Sequence, residues 1–94
     1  MVTLDTLYTA VSGVRGREAV KMFLRDLLTP AEIKEFSNRF EMARLLEFTD
    51  LSYIKIAKKT GASTATVTRV ALWLNSGCGG YKSALKSFSK DEKK

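Results

Sequence analysis

The side chains best suited to contact another molecule are concentrated between Ser52 and Arg69. This segment carries three lysines before Gly61 and a run of hydroxyl residues after it, in the stretch GASTATVTRV. The chain has no histidine, and it has no nucleophile or carboxylate pair in the arrangements that catalysis uses. We therefore expect a protein that binds through hydrogen bonds and charge, with no enzymatic activity, no metal and no cofactor.

Charge is divided unevenly along the chain. Residues 1–50 hold seven Lys/Arg and eight Asp/Glu, whereas residues 51–94 hold nine and two, for a net charge of +6. No acid occurs between Asp50 and Asp91. A basic, acid-free half of a folded domain favours a polyanionic partner, nucleic acid first, and a basic surface without a partner is the alternative.

The stretch GASTATVTRV has features of both a strand and a helix. Its β-branched residues and its alternation of small or apolar with polar positions are typical of a strand. The apolar positions from Val67 to Leu74, however, fit a helical period better than a period of two. We therefore predict a helix over 64–75. Its two faces on a helical wheel are Ser63, Val67, Val70, Ala71 and Leu74 on one side, and Ala65, Thr68, Arg69 and Leu72 on the other.

The other segments also have helical patterns, which predicts an all-α fold. The clearest start signal is TPAE, in which Thr29 caps, Pro30 takes the first helical position and Glu32 completes a capping box. Ser52 and Ser63 are predicted N-caps, and Gly61 is predicted to end the helix before it. The expected helices span 3–12, 17–28, 30–48, 53–59 and 81–88, in a single domain of residues 1–88 followed by a charged tail, 89–94.

Composition bears on compartment and assembly. No apolar run approaches membrane-spanning length, and the start MVTLDTLYTAVSG lacks the basic region of a signal peptide. The single cysteine, Cys78, excludes an intrachain disulfide and fits a reducing compartment, so we expect a cytoplasmic protein. A 45% hydrophobic content is high for so short a chain, which suggests that a second subunit covers part of it.

The spacing around Gly61 is that of a helix-turn-helix over about 52–75. Ala57 stands where the two helices would cross, Gly61 lies in the turn, and Val67 anchors the second helix. Short side chains on that helix would allow its backbone to approach base edges in the major groove of duplex DNA. A plain helical hairpin and a protein-interaction module are the alternatives. The candidate DNA-binding residues are Ser52, Lys55, Lys59, Ser63, Thr64, Ala65, Thr66, Thr68 and Arg69.

The segments LLTPAEIKEFSNRFEMARLL and GASTATVTRV together resemble the tryptophan-repressor superfamily, in this order and spacing. The glycine-rich LNSGCGGYKSAL is similar to the Trp-repressor-like subgroup of the YerC/YecD type. The similarity covers about residues 20–88. It implies a bacterial transcription regulator, a repressor that binds a palindromic operator, built as an intertwined homodimer whose N-terminal helices interlock.

The resemblance also implies a ligand site, which this sequence matches only in part. Thr29, Arg39 and Arg69 match the family residues around the bound indole. Val70 stands where the family keeps a glycine, and Trp73 replaces a small serine. Extra side-chain volume in a packed site typically costs about 1–3 kcal/mol, so we expect no corepression by L-tryptophan, and another effector or none.

Overall fold

A computed structural model describes residues 3–88, and these form six α-helices and one 3₁₀ turn without a strand. The helices are α1 (Leu4–Gly13), α2 (Arg17–Leu27), α3 (Pro30–Phe48), α4 (Tyr53–Thr60), α5 (Thr64–Ser76) and α6 (Gly80–Leu85), and the 3₁₀ turn is Lys86–Phe88. The all-α prediction is confirmed. The predicted tail, 89–94, lies outside the described residues. No helix within 3–88 is long and apolar enough to cross a membrane.

The predicted cap residues explain where three of these helices begin. The amide of Thr29 donates to Oε1 of Glu32 at 2.9 Å, and the amide of Glu32 donates to Oγ1 of Thr29 at 3.1 Å. This reciprocal pair is the capping box expected before α3. Ser52 and Ser63 accept hydrogen bonds from the amides of Lys55 and Thr66, each at 3.2 Å, so α4 and α5 also begin as predicted.

The chain divides into two compact units, Met1–Lys34 and Glu35–Lys94, with the division inside α3. Neither α1 nor α2 in the first unit has a buried residue. The prediction of a single domain over 1–88 stays a prediction. The helix predicted over 81–88 is shorter than expected, because α6 ends at Leu85 and tightens into the 3₁₀ turn.

The hydrophobic core lies within the second unit and joins α3, α4, α5 and α6. Phe40, Leu46, Phe48, Leu51, Ala62 and Tyr81 pack around it, partly buried. Lys82 of α6 forms an ion pair of 2.7 Å with Glu47 of α3, and Phe40 contacts the rings of Tyr81 and Phe88. These contacts fix α6 and the 3₁₀ turn against α3. The core residues are Met42, Ala43, Leu45, Ile56, Ala57, Val67, Val70, Leu74 and Leu85.

Candidate nucleic-acid interface

Three residues, Gly61 to Ser63, connect α4 to α5. Gly61 has the left-handed conformation, with φ of 68° and ψ of 28°. Its amide donates to the carbonyl of Lys58 at 3.4 Å, and the amide of Ala62 donates to that of Ala57 at 2.9 Å. This pair of bonds is the Schellman pattern, in which glycine is preferred because it lacks a Cβ. The turn therefore directs α5 away from α4 without backbone strain, and we call the two helices the α4–α5 pair.

The two faces of α5 differ sharply in burial. Val67 and Val70 are fully buried, and Ala71 and Leu74 are nearly so. The opposite face is exposed, and this confirms both the helical interpretation of GASTATVTRV and the predicted faces of Val67 through Leu74. The prediction that Ser63 lies on the inner face was wrong. Ser63 is exposed, and its hydroxyl caps the N-terminus of α5. The exposed outer residues are Ala65, Thr68, Arg69 and Leu72.

Two hydroxyl groups on α5, and that of its cap residue Ser63, are engaged within the helix. The hydroxyl of Thr68 donates to the main-chain carbonyl of Thr64 at 2.9 Å. The hydroxyls of Ser63 and Thr66 lie 3.1 Å apart and share one hydrogen bond. Ser63 also accepts from the amide of Thr66. The hydroxyl hydrogen of Thr68, and one of the two at Ser63 and Thr66, are therefore directed toward α5 and its cap.

The cations of the α4–α5 pair lie on different sides of it. Arg69 is exposed on the outer face of α5, and within residues 3–88 no acid forms an ion pair with it. On α4, Lys55 and Lys59 are one turn apart and line a surface groove of about 560 Å³ together with Leu45 and Thr49 of the α3 end. Lys58 lies on another side of α4, one turn from the exposed Ile54.

Lys59 also acts on an acid of α3 that sequence analysis did not connect with it. The side chain of Arg44 donates to both carboxylate oxygens of Glu41, at 2.7 and 2.8 Å. These bonds hold the pKa of Glu41 below its ordinary value, against a smaller opposing effect of burial, and the charges of Arg44 and Lys59 lower it further. Counting acids along residues 51–90 missed this carboxylate because it comes from another helix.

The three residues that match the family's ligand site each have different surroundings in the structure. Thr29 is committed to the capping box. Arg39 forms an ion pair with Glu35 one turn earlier and lies 5.4 Å over the ring of Phe36. Arg69 stays exposed on the outer face of α5. The ion pair between Arg39 and Glu35 is on the surface, with side-chain exposures of 39% and 57%.

The two residues that differ from the family's ligand site, Val70 and Trp73, differ in burial. Val70 is fully buried within the core. Trp73 is 41% exposed and borders a separate groove of about 380 Å³ with Gly77, Cys78 and Tyr81. Cys78, which borders this groove, is exposed.

Comparison with known proteins agrees with this architecture. A crystal structure of a TrpR-like protein from Eubacterium eligens ATCC 27750 superposes with a TM-score of 0.81 and 36% identity, covering 92% of this chain and 88% of that one. A crystallised candidate Trp repressor from Staphylococcus aureus gives a TM-score of 0.80 and 34% identity, with coverage of 92% and 85%.

Sequence comparison gives the same relationship. The uncharacterized protein YerC of Bacillus subtilis (strain 168) is 38% identical over 89 residues, which is 95% of this chain and 85% of YerC. The family model described as Trp repressor protein matches residues 2–89. With the helical fold and the α4–α5 pair already described, this match over nearly the whole chain means that the protein belongs to the Trp repressor family.

Proposed function

We propose that this protein is a sequence-specific, double-stranded-DNA-binding transcriptional regulator, and that it acts as a repressor in the cytoplasm. The α4–α5 pair, over about 52–75, is its helix-turn-helix, and α5 is the recognition helix. The observation that carries the proposal is the division of α5 into a buried face and an exposed face of short side chains with one unpaired cation, Arg69. A helix of this kind can lie deep in the major groove while its other face holds it on the domain.

The candidate contacts follow from these positions. The first turn of α5 presents Thr64 and Ala65, and Thr68 and Arg69 follow one turn later on the exposed face. Ser52 and Ser63, at the starts of α4 and α5, and Thr66 are placed to meet the phosphate backbone near helix N-termini. Lys55 and Lys59 supply sequence-independent attraction to phosphates. The charge of Lys59 also lowers the pKa of Glu41.

A homodimer is part of this proposal. The α1 helix exposes Leu4, Leu7, Tyr8 and Val11, whose spacing of three and four residues forms one apolar stripe. Soluble monomers rarely expose contiguous apolar surface of this kind, and a second copy would cover it. Interlocked N-terminal helices, as the family resemblance implies, would place the two recognition helices about 34 Å apart, one turn of the duplex. The operator is then a palindrome.

We further propose that L-tryptophan does not regulate this protein. Val70 is fully buried against the core, so the volume that an indole would need beside α5 is already filled. Arg39 is engaged with Glu35. The protein is then regulated by another small molecule or has no effector.

A second function is favoured by one specific observation. Leu72 and Trp73, near the end of α5, are 61% and 41% exposed. Large exposed apolar side chains are frequent in protein interfaces, so the same α4–α5 pair could serve as a protein-interaction module that binds no operator.

Selection from random duplexes separates the two functions. We expect the protein to enrich a palindrome whose half-sites are one helical turn apart, with affinity that falls steeply as salt rises. Enrichment of no palindrome, together with salt-insensitive binding of a protein partner that is lost in Leu72→Ala and Trp73→Ala, would favour the interaction module instead.

A further inference from the structure

The hydrogen-bonding capacity of the exposed face of α5 is smaller than its sequence suggests. Thr68 has donated its hydroxyl hydrogen to the carbonyl of Thr64, at 2.9 Å. A hydroxyl that already donates cannot also donate to the acceptors that guanine and thymine present in the major groove. What Thr68 keeps to offer is its γ-methyl group and the lone pairs of its oxygen.

The residues next to Thr68 on this face also offer few hydrogen-bond donors. Ala65 is exposed and carries only a methyl group. It lies three residues before Thr68, so both are on one face of the first two turns. The hydroxyl of Thr66 is engaged with that of Ser63 at the cap. Among the exposed residues between Ala65 and Arg69, Thr68 has its hydroxyl donor engaged, whereas the side-chain donors of Arg69 are unengaged.

One feature of duplex DNA matches two exposed methyl groups. Thymine is the base that displays a methyl group in the major groove, and apolar side chains recognise it by contact. Resting on the proposed DNA-binding function, we infer that Ala65 and Thr68 read thymine by its C5-methyl group. Each half-site then contains two thymines that are recognised by contact, with Arg69 as the single cationic donor beside them.

Replacement of thymine by deoxyuridine tests this inference directly, because it removes the methyl group and keeps the base pair. Burial of one methyl group corresponds to roughly a fourfold change in affinity. We expect about that loss for each of two positions per half-site of the selected palindrome, and none at the other thymines. Fluorescence anisotropy with the full chain at fixed salt gives the measurement.

A matched pair of variants assigns one of these positions to Thr68. Thr68→Ser keeps the hydroxyl and removes the methyl, whereas Thr68→Val keeps a methyl and removes the hydroxyl. We expect Thr68→Ser to bind thymine and deoxyuridine equally at one position per half-site, and Thr68→Val to discriminate as the parent does. Thr68 is exposed, so both variants should keep the parent's circular dichroism and thermal midpoint within a few degrees.

The outcomes distinguish this inference from the function on which it rests. If no palindrome is selected, the proposed function fails first. If a palindrome is selected but deoxyuridine binds as well as thymine everywhere, DNA binding stands and methyl recognition is wrong. If Thr68→Ser keeps the preference for thymine over deoxyuridine at every position, the γ-methyl group of Thr68 is not what reads thymine, which also overturns the inference.

Discussion

The amide of Gly77 donates a 3.0 Å hydrogen bond to the carbonyl oxygen of Trp73, and a Cβ atom on Gly77 would overlap that same oxygen. The carbonyl carbon would be 3.1 Å away. Both neighbours belong to the backbone of α5, so neither can move aside cheaply. Close approach, rather than an unusual φ, therefore requires glycine where α5 ends.

Gly77→Ala should accordingly destabilise the protein. Relieving the overlap means breaking the last hydrogen bond of α5 or shifting its final turn, at a cost of about 1–3 kcal/mol in the free energy of unfolding. Gly80→Ala is the control, because nothing lies within 4 Å of its added methyl and Gly80 is in α6. That change should be neutral or stabilise by about 0.5–1 kcal/mol. Urea unfolding gives the free energy of unfolding of both variants. Equal changes in the two would contradict the steric requirement for glycine at position 77.

Val67→Ala should separate stability from recognition. Val67 is fully buried, and loss of two methyl groups should lower the free energy of unfolding by about 1–3 kcal/mol. DNA affinity, measured where the variant is folded, should match the parent. Thr68→Ala is the opposite case: it should keep stability and change the preference at one or two base pairs by about 1–3 kcal/mol each. Weak binding by fully folded Val67→Ala would show that the inner face also reads DNA.

Salt should weaken DNA binding in proportion to the phosphates contacted. The logarithm of affinity should fall linearly with the logarithm of salt concentration, by roughly 0.9 per phosphate. Lys55→Gln or Lys59→Gln should weaken binding to all sequences alike and make the slope shallower. Lys21→Gln, which removes an exposed charge of α2 outside the α4–α5 pair, serves as the control and should leave the slope unchanged. Affinity that is the same at low and physiological salt would exclude this electrostatic contribution.

L-tryptophan should give no heat of binding and should leave DNA affinity unchanged. Val70 fills the space beside α5, so the double change Val70→Gly with Trp73→Ser should open it. A glycine in mid-helix and a lost core side chain will also destabilise the fold, so calorimetry belongs at a temperature where circular dichroism shows the variant folded. Saturable tryptophan binding by the parent at cellular concentrations would overturn the prediction.

The protein should be an obligate dimer. The apolar stripe of α1 is exposed, and a second chain would cover it. Stability that depends on such a partner rises with protein concentration. Sedimentation equilibrium should give twice the chain mass, and the thermal midpoint should increase with concentration. A folded monomer at micromolar concentration is the result that would count against this.

Local signals in the sequence predicted much of the fold. The capping box at Thr29 and Glu32, the caps Ser52 and Ser63 and the left-handed Gly61 each depend on partners within five residues along the chain. Periodicity likewise separated the two faces of α5. Such features depend only on residues that are near one another in the sequence. The observed bounds of α3, α4 and α5 therefore agree closely with the predicted ones.

Features that depend on contacts between helices were not predictable in this way. The effect of the Lys59 charge on the pKa of Glu41 and the ion pair between Lys82 and Glu47 each involve residues of different helices. The hydrogen bond from Thr68 to Thr64 is local, but a threonine side chain in a helix has more than one favourable rotamer. Composition alone therefore suggested hydroxyl donors on a face that mainly presents methyl groups.

The location of the core, entirely within residues 42–85, has a consequence for synthesis on the ribosome. Translation proceeds from α1 toward α6, so the apolar stripe of α1 leaves the ribosome before any core residue does. Leu85, which is almost fully buried, is the last member to arrive. The nascent chain therefore exposes this stripe before its core can close, and we expect two chains translated side by side from one messenger to pair through α1 at that stage.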